Sequence, residues 1–235
     1  DRVSVVTNGI EVDHFDPARV VPEPRSGKIV IFTGNLAEYQ GIDLMLKAFR
    51  RVAARVADAR LVIATDSSFA PYEGLTRELG IRERIDVIPA PAFADLPRLL
   101  VNADVAVNPR TDCVGVPVKL LNYMAAARPV ASFDGSAPGV VHGKTGWLAQ
   151  SGNVEALADG IMALLADPER AHAIGRAARE HVAEFCSWPR AAERCEEIYW
   201  SLVRRSHPDQ QVLPHNPPAY GMAERRSGTG TRFTD

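Results

Sequence analysis

The feature that most constrains this chain is an alternation. Short aliphatic runs, apolar nearly throughout, recur between longer stretches whose apolar residues fall at helical spacing. The short runs are Val3–Val6, Lys28–Phe32, Arg60–Ala64, Ile85–Ile88, Asp104–Val107 and Pro129–Phe133. Strands of that character are buried on both faces, as in a parallel sheet covered by helices. Between them, Ile42, Met45, Phe49, Val52 and Val56 mark one amphipathic helix. Phe93, Leu96, Leu99, Leu100 and Ala103 mark a second, and Val154, Leu157, Ile161, Leu164 and Leu165 a third. Asp167 followed by Pro168 reads as an N-cap and first helical residue, opening a helix to about Phe185. Trp188-Pro189 reads as a break, with a last helix from about Arg190 to Arg205. The pattern predicts an α/β, Rossmann-like doubly wound parallel sheet as a single domain over residues 1–205.

In such sheets ligands bind beyond the carboxyl ends of the strands, so the loops there are the candidates. One is Phe32-Thr33-Gly34-Asn35-Leu36-Ala37-Glu38-Tyr39-Gln40-Gly41-Ile42, where two glycines bracket a turn between strand and helix. It either presents loop N–H groups to a ligand or is an ordinary βα turn. A second is Asn108 to Pro117, running into a helix that carries Val118, Lys119 and Asn122. The free N–H groups and dipole at that helix start favour an anion such as a diphosphate, and Lys119 adds charge. Asn122 shares a helix face with Val118 and Lys119, so its amide reaches a hydroxyl beyond the phosphate. The bland reading is a buried helix with a solvated lysine. A third loop, Asp134 to Gly139, has two glycines, and His142 to Leu148 reads as a hairpin-like turn.

Other chemistries are excluded by what the sequence lacks. The 27 Lys and Arg against 29 Asp and Glu give a net charge of −2 without a basic block, which argues against nucleic acid as a partner. No apolar run approaches the roughly 18–20 residues that span a bilayer. Cys113, Cys186 and Cys195 lack metal or redox spacing, so a reducing cytosol is expected. There is no GxGxxG, HExxH or GxSxG, and Gly139 to Thr145 is one residue short of a P-loop. Residues 206–235 are rich in proline and glycine without periodicity and read as a disordered tail.

Taken in order, these segments resemble GT-B glycosyltransferases of family 4. The resemblance runs through Asn8-Gly9-Ile10-Glu11-Val12-Asp13-His14-Phe15-Asp16-Pro17, then Gly34-Asn35-Leu36 with Gln40-Gly41-Ile42-Asp43. It continues through Asp95-Leu96-Pro97 and Asn102-Ala103-Asp104-Val105 to Asn108-Pro109. It ends with Gly115-Val116-Pro117-Val118-Lys119-Leu120-Leu121-Asn122-Tyr123-Met124-Ala125, Arg128-Pro129-Val130 and His142-Gly143-Lys144-Thr145-Gly146. It spans roughly residues 3–205.

The resemblance implies the carboxyl-terminal, donor-binding half of a retaining enzyme that moves a sugar from a nucleoside-diphosphate sugar, UDP or GDP type, to a glycan or lipid-linked acceptor. No tightly bound cofactor and no essential metal are implied. It places donor contacts at Gly34, Asn35, Gln40, Asp112, Gly115, Val116, Pro117, Val118, Lys119 and Asn122, and carries no catalytic residue onto this chain. It implies an amino-terminal GT-B domain or partner chain, and a cytoplasmic location with contact to the inner membrane through that half. The departures are specific. Asn35 and Gln40 stand where Arg and Lys are usual, Asn122 where a ribose-binding Glu is usual, and Val114 where its partner Glu is usual. Asp112 fills that last role only with a shift of two residues, and Ala127 replaces a helix glycine. These departures leave open a non-catalytic or split-enzyme module.

Overall fold

The computed structural model describes residues 3–206. Six parallel strands form one sheet: β1 (Lys28–Thr33), β2 (Ala59–Ala64), β3 (Ile85–Ile88), β4 (Val105–Asn108), β5 (Val130–Phe133) and β6 (Trp147–Ala149). Their order is β3-β2-β1-β4-β5-β6. Seven α-helices accompany them: α1 (Ile42–Arg55), α2 (Ala70–Glu78), α3 (Leu96–Val101), α4 (Val118–Ala125), α5 (Val154–Ala166), α6 (Pro168–Phe185) and α7 (Trp188–Ser206). The chain builds β1 to β3 outward on one side and then returns to place β4 on the other side of β1. That reversal leaves a crevice beyond the carboxyl ends of β1 and β4, where open α/β sheets bind ligands.

The apolar runs bury both faces, as expected. Val30 and Phe32 of β1, with Val105, Val107, Ala131 and Phe133, join α1 and α5 in one core cluster. The alternate residues Ile31, Ala106 and Val130 join α3, α4 and the inner face of α6 in the other. This is the period-2 alternation of a strand covered on both sides. Asp167 caps α6 by accepting the Arg170 N–H at 3.0 Å, with Pro168 in the first turn.

Several details differ from the sequence reading. Val3–Val6 is no strand; Val3 and Val5 are 83% and 77% exposed. A β-branched run becomes a strand only where another strand's backbone pairs with it. The turn at residues 143–146 forms, closed by the Gly143 N–H on the Gly146 carbonyl at 2.8 Å. Its outgoing arm does not return as a hairpin but joins the main sheet as β6, parallel to β5. A strand there, not a helix, follows the P-loop-like residues, so they hold no phosphate-loop geometry. The last helix begins at Trp188, because Pro189 sits in its first turn, where the missing N–H costs nothing. Its apolar residues face solvent in part: Leu202 is 53% exposed and Val203 40%. The tail expected over 206–235 lies outside the described residues, apart from Ser206, which ends α7. Among the described residues no helix is long and apolar enough to cross a membrane.

Candidate functional site

The crevice is walled by the loop after β1 and the loop after β4. At the end of β1, Thr33 is fixed by Tyr123 of α4, whose hydroxyl accepts the Thr33 N–H at 2.8 Å and lies 3.0 Å from its Oγ1. Tyr123 is fully buried, and burial pushes its hydroxyl up to about 12, so it remains a neutral strut. At the end of β4, Asn108 is fully buried. Its Nδ2 donates to Ser132 Oγ at 3.0 Å and to Ser136 Oγ at 2.9 Å, tying the carboxyl ends of β4 and β5 together.

The first loop folds on itself through side-chain amides. Asn35 Oδ1 accepts the Ala37 N–H and Gln40 Nε2, both at 3.2 Å. Its Nδ2 donates to the Tyr39 hydroxyl at 3.2 Å. Gln40 is only 5% exposed, and its Oε1 accepts Lys119 Nζ at 2.6 Å. Asn35, Gln40 and Lys119 therefore form a hydrogen-bonded chain that joins the two loops across the crevice. Lys119 Nζ also lies 4.1 Å from the centroid of the Phe32 ring. Burial, and after it the charge of Arg110, hold the Lys119 ammonium down to about 7.

The helix α4 opens at the same place. Pro117 is its N-cap, and its carbonyl accepts the N–H of Leu120 at 3.0 Å. The N–H groups of Val118 and Lys119 precede that first helical bond and face the usual shortage of acceptors at a helix start. One turn further, Asn122 Oδ1 is buried without a hydrogen-bond partner among the described residues, as is Asn108 Oδ1 at the end of β4. A buried acceptor left unpaired costs about 1–3 kcal/mol, so such an atom points to a missing donor group.

Of the residues named from sequence, Gly34, Asn35, Gln40 and Lys119 come together, with Asn122 on the same helix as Lys119. Gly115, Val116, Pro117 and Val118 form the approach to α4. Gly115 has φ +84, and a β-carbon there would meet nothing within 4 Å, so the loop is open at that point. Asp112 is exposed on the same loop, with no side-chain partner among the described residues, and does not join the cluster. Val114, in the position of an expected carboxylate, is 100% exposed. Sequence reasoning missed Arg110, whose guanidinium stacks over the Tyr39 ring at 4.9 Å. The signal was a cation two residues past the end of β4, but only the fold shows what it faces.

A separate concavity of about 1080 Å³ opens between the amino-terminal segment and α6, lined among others by Ile10, Val12, Ala127, Arg179 and Trp188. Ala127 precedes β5, so this hollow lies toward the amino ends of the strands, away from the crevice. Among the described residues no cluster of three or more His, Cys, Asp or Glu is placed to hold a metal ion.

These features define an α/β protein with a switch-point crevice, a first loop bounded by two glycines, a second loop after β4 and a helix start beside it. The model of the family described as "Glycosyl transferases group 1" matches residues 27–167, and the chain belongs to that family. It is 29% identical over 228 residues to D-inositol 3-phosphate glycosyltransferase of Corynebacterium aurimucosum, covering 89% of this chain and 53% of that protein. It is also 29% identical over 217 residues to GDP-mannose-dependent monoacylated alpha-(1-6)-phosphatidylinositol monomannoside mannosyltransferase of Corynebacterium glutamicum, covering 84% of this chain and 56% of that one. Among solved structures, a glycosyltransferase from Rickettsia africae matches with a TM-score of 0.77 and 20% identity over 87% of this chain and 58% of that one. The C-terminal domain of a glycosyl transferase group 1 family protein from Francisella tularensis matches with a TM-score of 0.62 and 17% identity, over 78% of this chain and 97% of that domain. The fold is that of one half of a GT-B glycosyltransferase, and the chain spans about half the length of the curated relatives it matches.

Proposed function

We propose that residues 3–205 form the donor-binding, carboxyl-terminal domain of a retaining glycosyltransferase. The donor is a nucleoside-diphosphate sugar of the UDP or GDP type, and the acceptor is a glycan or lipid-linked molecule. The observation that carries this reading is the convergence at the β1/β4 switch point of the first loop, the α4 start and Lys119, with the orphan oxygen of Asn122 beside them. The name of the Corynebacterium glutamicum relative specifies GDP-mannose, which supports a donor of this class.

The chemistry follows from where charge develops. As the bond from the sugar to the diphosphate breaks, negative charge builds on the diphosphate oxygens. The N–H groups of Val118 and Lys119 and the Lys119 ammonium are fixed donors that offset this charge more strongly in the transition state than before it. Asn122 Oδ1 can only accept, so it takes the hydrogen of a hydroxyl, which we assign to the ribose. Acceptor binding falls to a separate amino-terminal domain or a partner chain. The share of its relatives that this chain covers favours that division.

A thermal-shift titration of the chain against UDP, GDP, ADP and their sugars tests the reading. Ligand at 100 times its Kd stabilises by about 2.7 kcal/mol, which is roughly 5–11 °C for a chain of this size. A shift selective for one base is the expected result. A cooperative melt that no nucleotide moves, even at millimolar concentration, contradicts it.

A further inference from the structure

Residues 34–41 of the first loop contain no lysine or arginine, yet two cations reach that loop from the segment after β4. Lys119 arrives from α4 and is held by the Gln40 amide oxygen at 2.6 Å, over the Phe32 ring. Arg110 arrives from the end of β4, with its guanidinium 4.9 Å from the Tyr39 ring centroid. Its Nε donates to the Asp112 carbonyl, which leaves its two terminal nitrogens without a partner among the described residues. Tyr39 is itself anchored through its hydroxyl by Asn35. Every group that holds these two cations is neutral. Among the described residues neither forms an ion pair, and Arg110 is the charged group that faces Lys119.

Like charges at a half-buried place repel where no carboxylate is in ion-pair contact with them, as here among the described residues, and screening there is weak. The arrangement is completed by an anion carrying about two negative charges. A guanidinium with two free terminal nitrogens presents the fork that matches phosphate oxygens, and an ammonium supplies a point charge beside it.

We propose that Arg110 and Lys119 together form the diphosphate clamp of this chain, with Tyr39 and Gln40 as the positioning residues that hold them over the first loop. This rests on the donor-site reading and assigns its charge. The first loop contributes surfaces and hydrogen-bond acceptors, and the segment after β4 contributes both cations.

Calorimetric titration of the whole chain with inorganic pyrophosphate, UDP, GDP and the free nucleosides tests the clamp, using Arg110→Gln, Lys119→Gln and the double variant. Lys119→Gln removes a half-buried ammonium and is expected to fold, which a melt of each variant confirms. Each single substitution is expected to weaken pyrophosphate and the preferred nucleoside diphosphate by roughly ten- to a hundredfold, with the double variant weaker still. Lys119→Arg is expected to recover part of the loss, and Arg77→Gln on α2 to change nothing. Gln40→Leu is expected to move the pH at which affinity declines downward, because the ammonium loses its acceptor. General structural damage would lower affinity alike at every pH. Nucleotide binding that survives both glutamine substitutions unchanged overturns the clamp and leaves the donor site standing. Pyrophosphate binding that needs both cations, with nucleotides no tighter than pyrophosphate, upholds the clamp and overturns the donor reading. No pyrophosphate binding by the folded chain overturns the clamp.

Discussion

Gly41 closes on the main-chain carbonyl of Pro109: a β-carbon at position 41 would stand 2.3 Å from that oxygen. The residue also has φ +70, which side-chain-bearing residues adopt only at a cost. This close approach joins the two loops of the crevice, because Gly41 ends the first loop and Pro109 begins the second. Gly41→Ala is expected to destabilise the chain by about 2 kcal/mol or more and to weaken nucleotide binding as the loops part. Urea unfolding and a binding titration on the same variant read both effects. Unchanged stability would show that the loops adjust without this contact.

Ala127 sits where a glycine would be at ease. It follows α4 with φ +53, and the N–H of Arg128 returns to the carbonyl of Tyr123 at 2.9 Å. That is the bond pattern of a helix closed by a left-handed residue, a place normally taken by glycine. Ala127→Gly is therefore expected to raise stability by about 1 kcal/mol, or roughly 2–4 °C in Tm. A lower Tm would mean that the alanine methyl is worth more in the core than the strain costs.

The orphan oxygen of Asn122 separates stability from binding. Asn122→Ala removes an acceptor that has no partner among the described residues, so unfolding free energy is expected to hold or rise slightly. Nucleotide affinity is expected to fall by about 1–3 kcal/mol if that oxygen takes a ribose hydroxyl. The same titration with inorganic pyrophosphate is expected to show no loss. A drop in stability with no change in affinity would assign Asn122 to the core instead.

Lys119 makes stability depend on pH in a defined direction. Burial, and secondarily Arg110, lower it from 10.5 to about 7. Between those values the unfolded chain holds a proton at this site that the folded chain releases. Stability from this group therefore rises with pH across that window, and its penalty is complete below pH 7. Lys119→Met is expected to remove that slope. The gain over wild type in urea unfolding should be largest below pH 7 and fade toward pH 10.5. A gain that does not change with pH would show that Lys119 stays charged in the folded chain.

Much of the fold was legible because its signals are local. Five of the six strands and helices α1, α3 and α5 follow from apolar runs and helical spacing within single segments, and α6 from its Asp167-Pro168 start. The misses depend on pairing or punctuation. Trp147–Ala149 is three residues long and becomes a strand only because β5 offers its edge. Val3–Val6 has a strand's composition and no partner strand among the described residues. Helix α2 carries Pro71 and Gly74, which hid its periodicity. At the site, the sequence marked both loops and Lys119. The Tyr39–Arg110 and Gln40–Lys119 pairs join residues far apart in the chain, and no spacing rule reports such contacts.

The most direct measurement is nitrogen–proton NMR mapping of the labelled chain titrated with UDP or GDP, whichever shifts its melt. The nucleotide is expected at the carboxyl ends of β1 and β4. The largest perturbations should therefore fall in residues 34–41 and 110–122, with saturation at the nucleotide's own affinity. Perturbations confined to residues 10–17 and 176–189, around the concavity beside α6, would contradict it and move the ligand to the other end of the sheet.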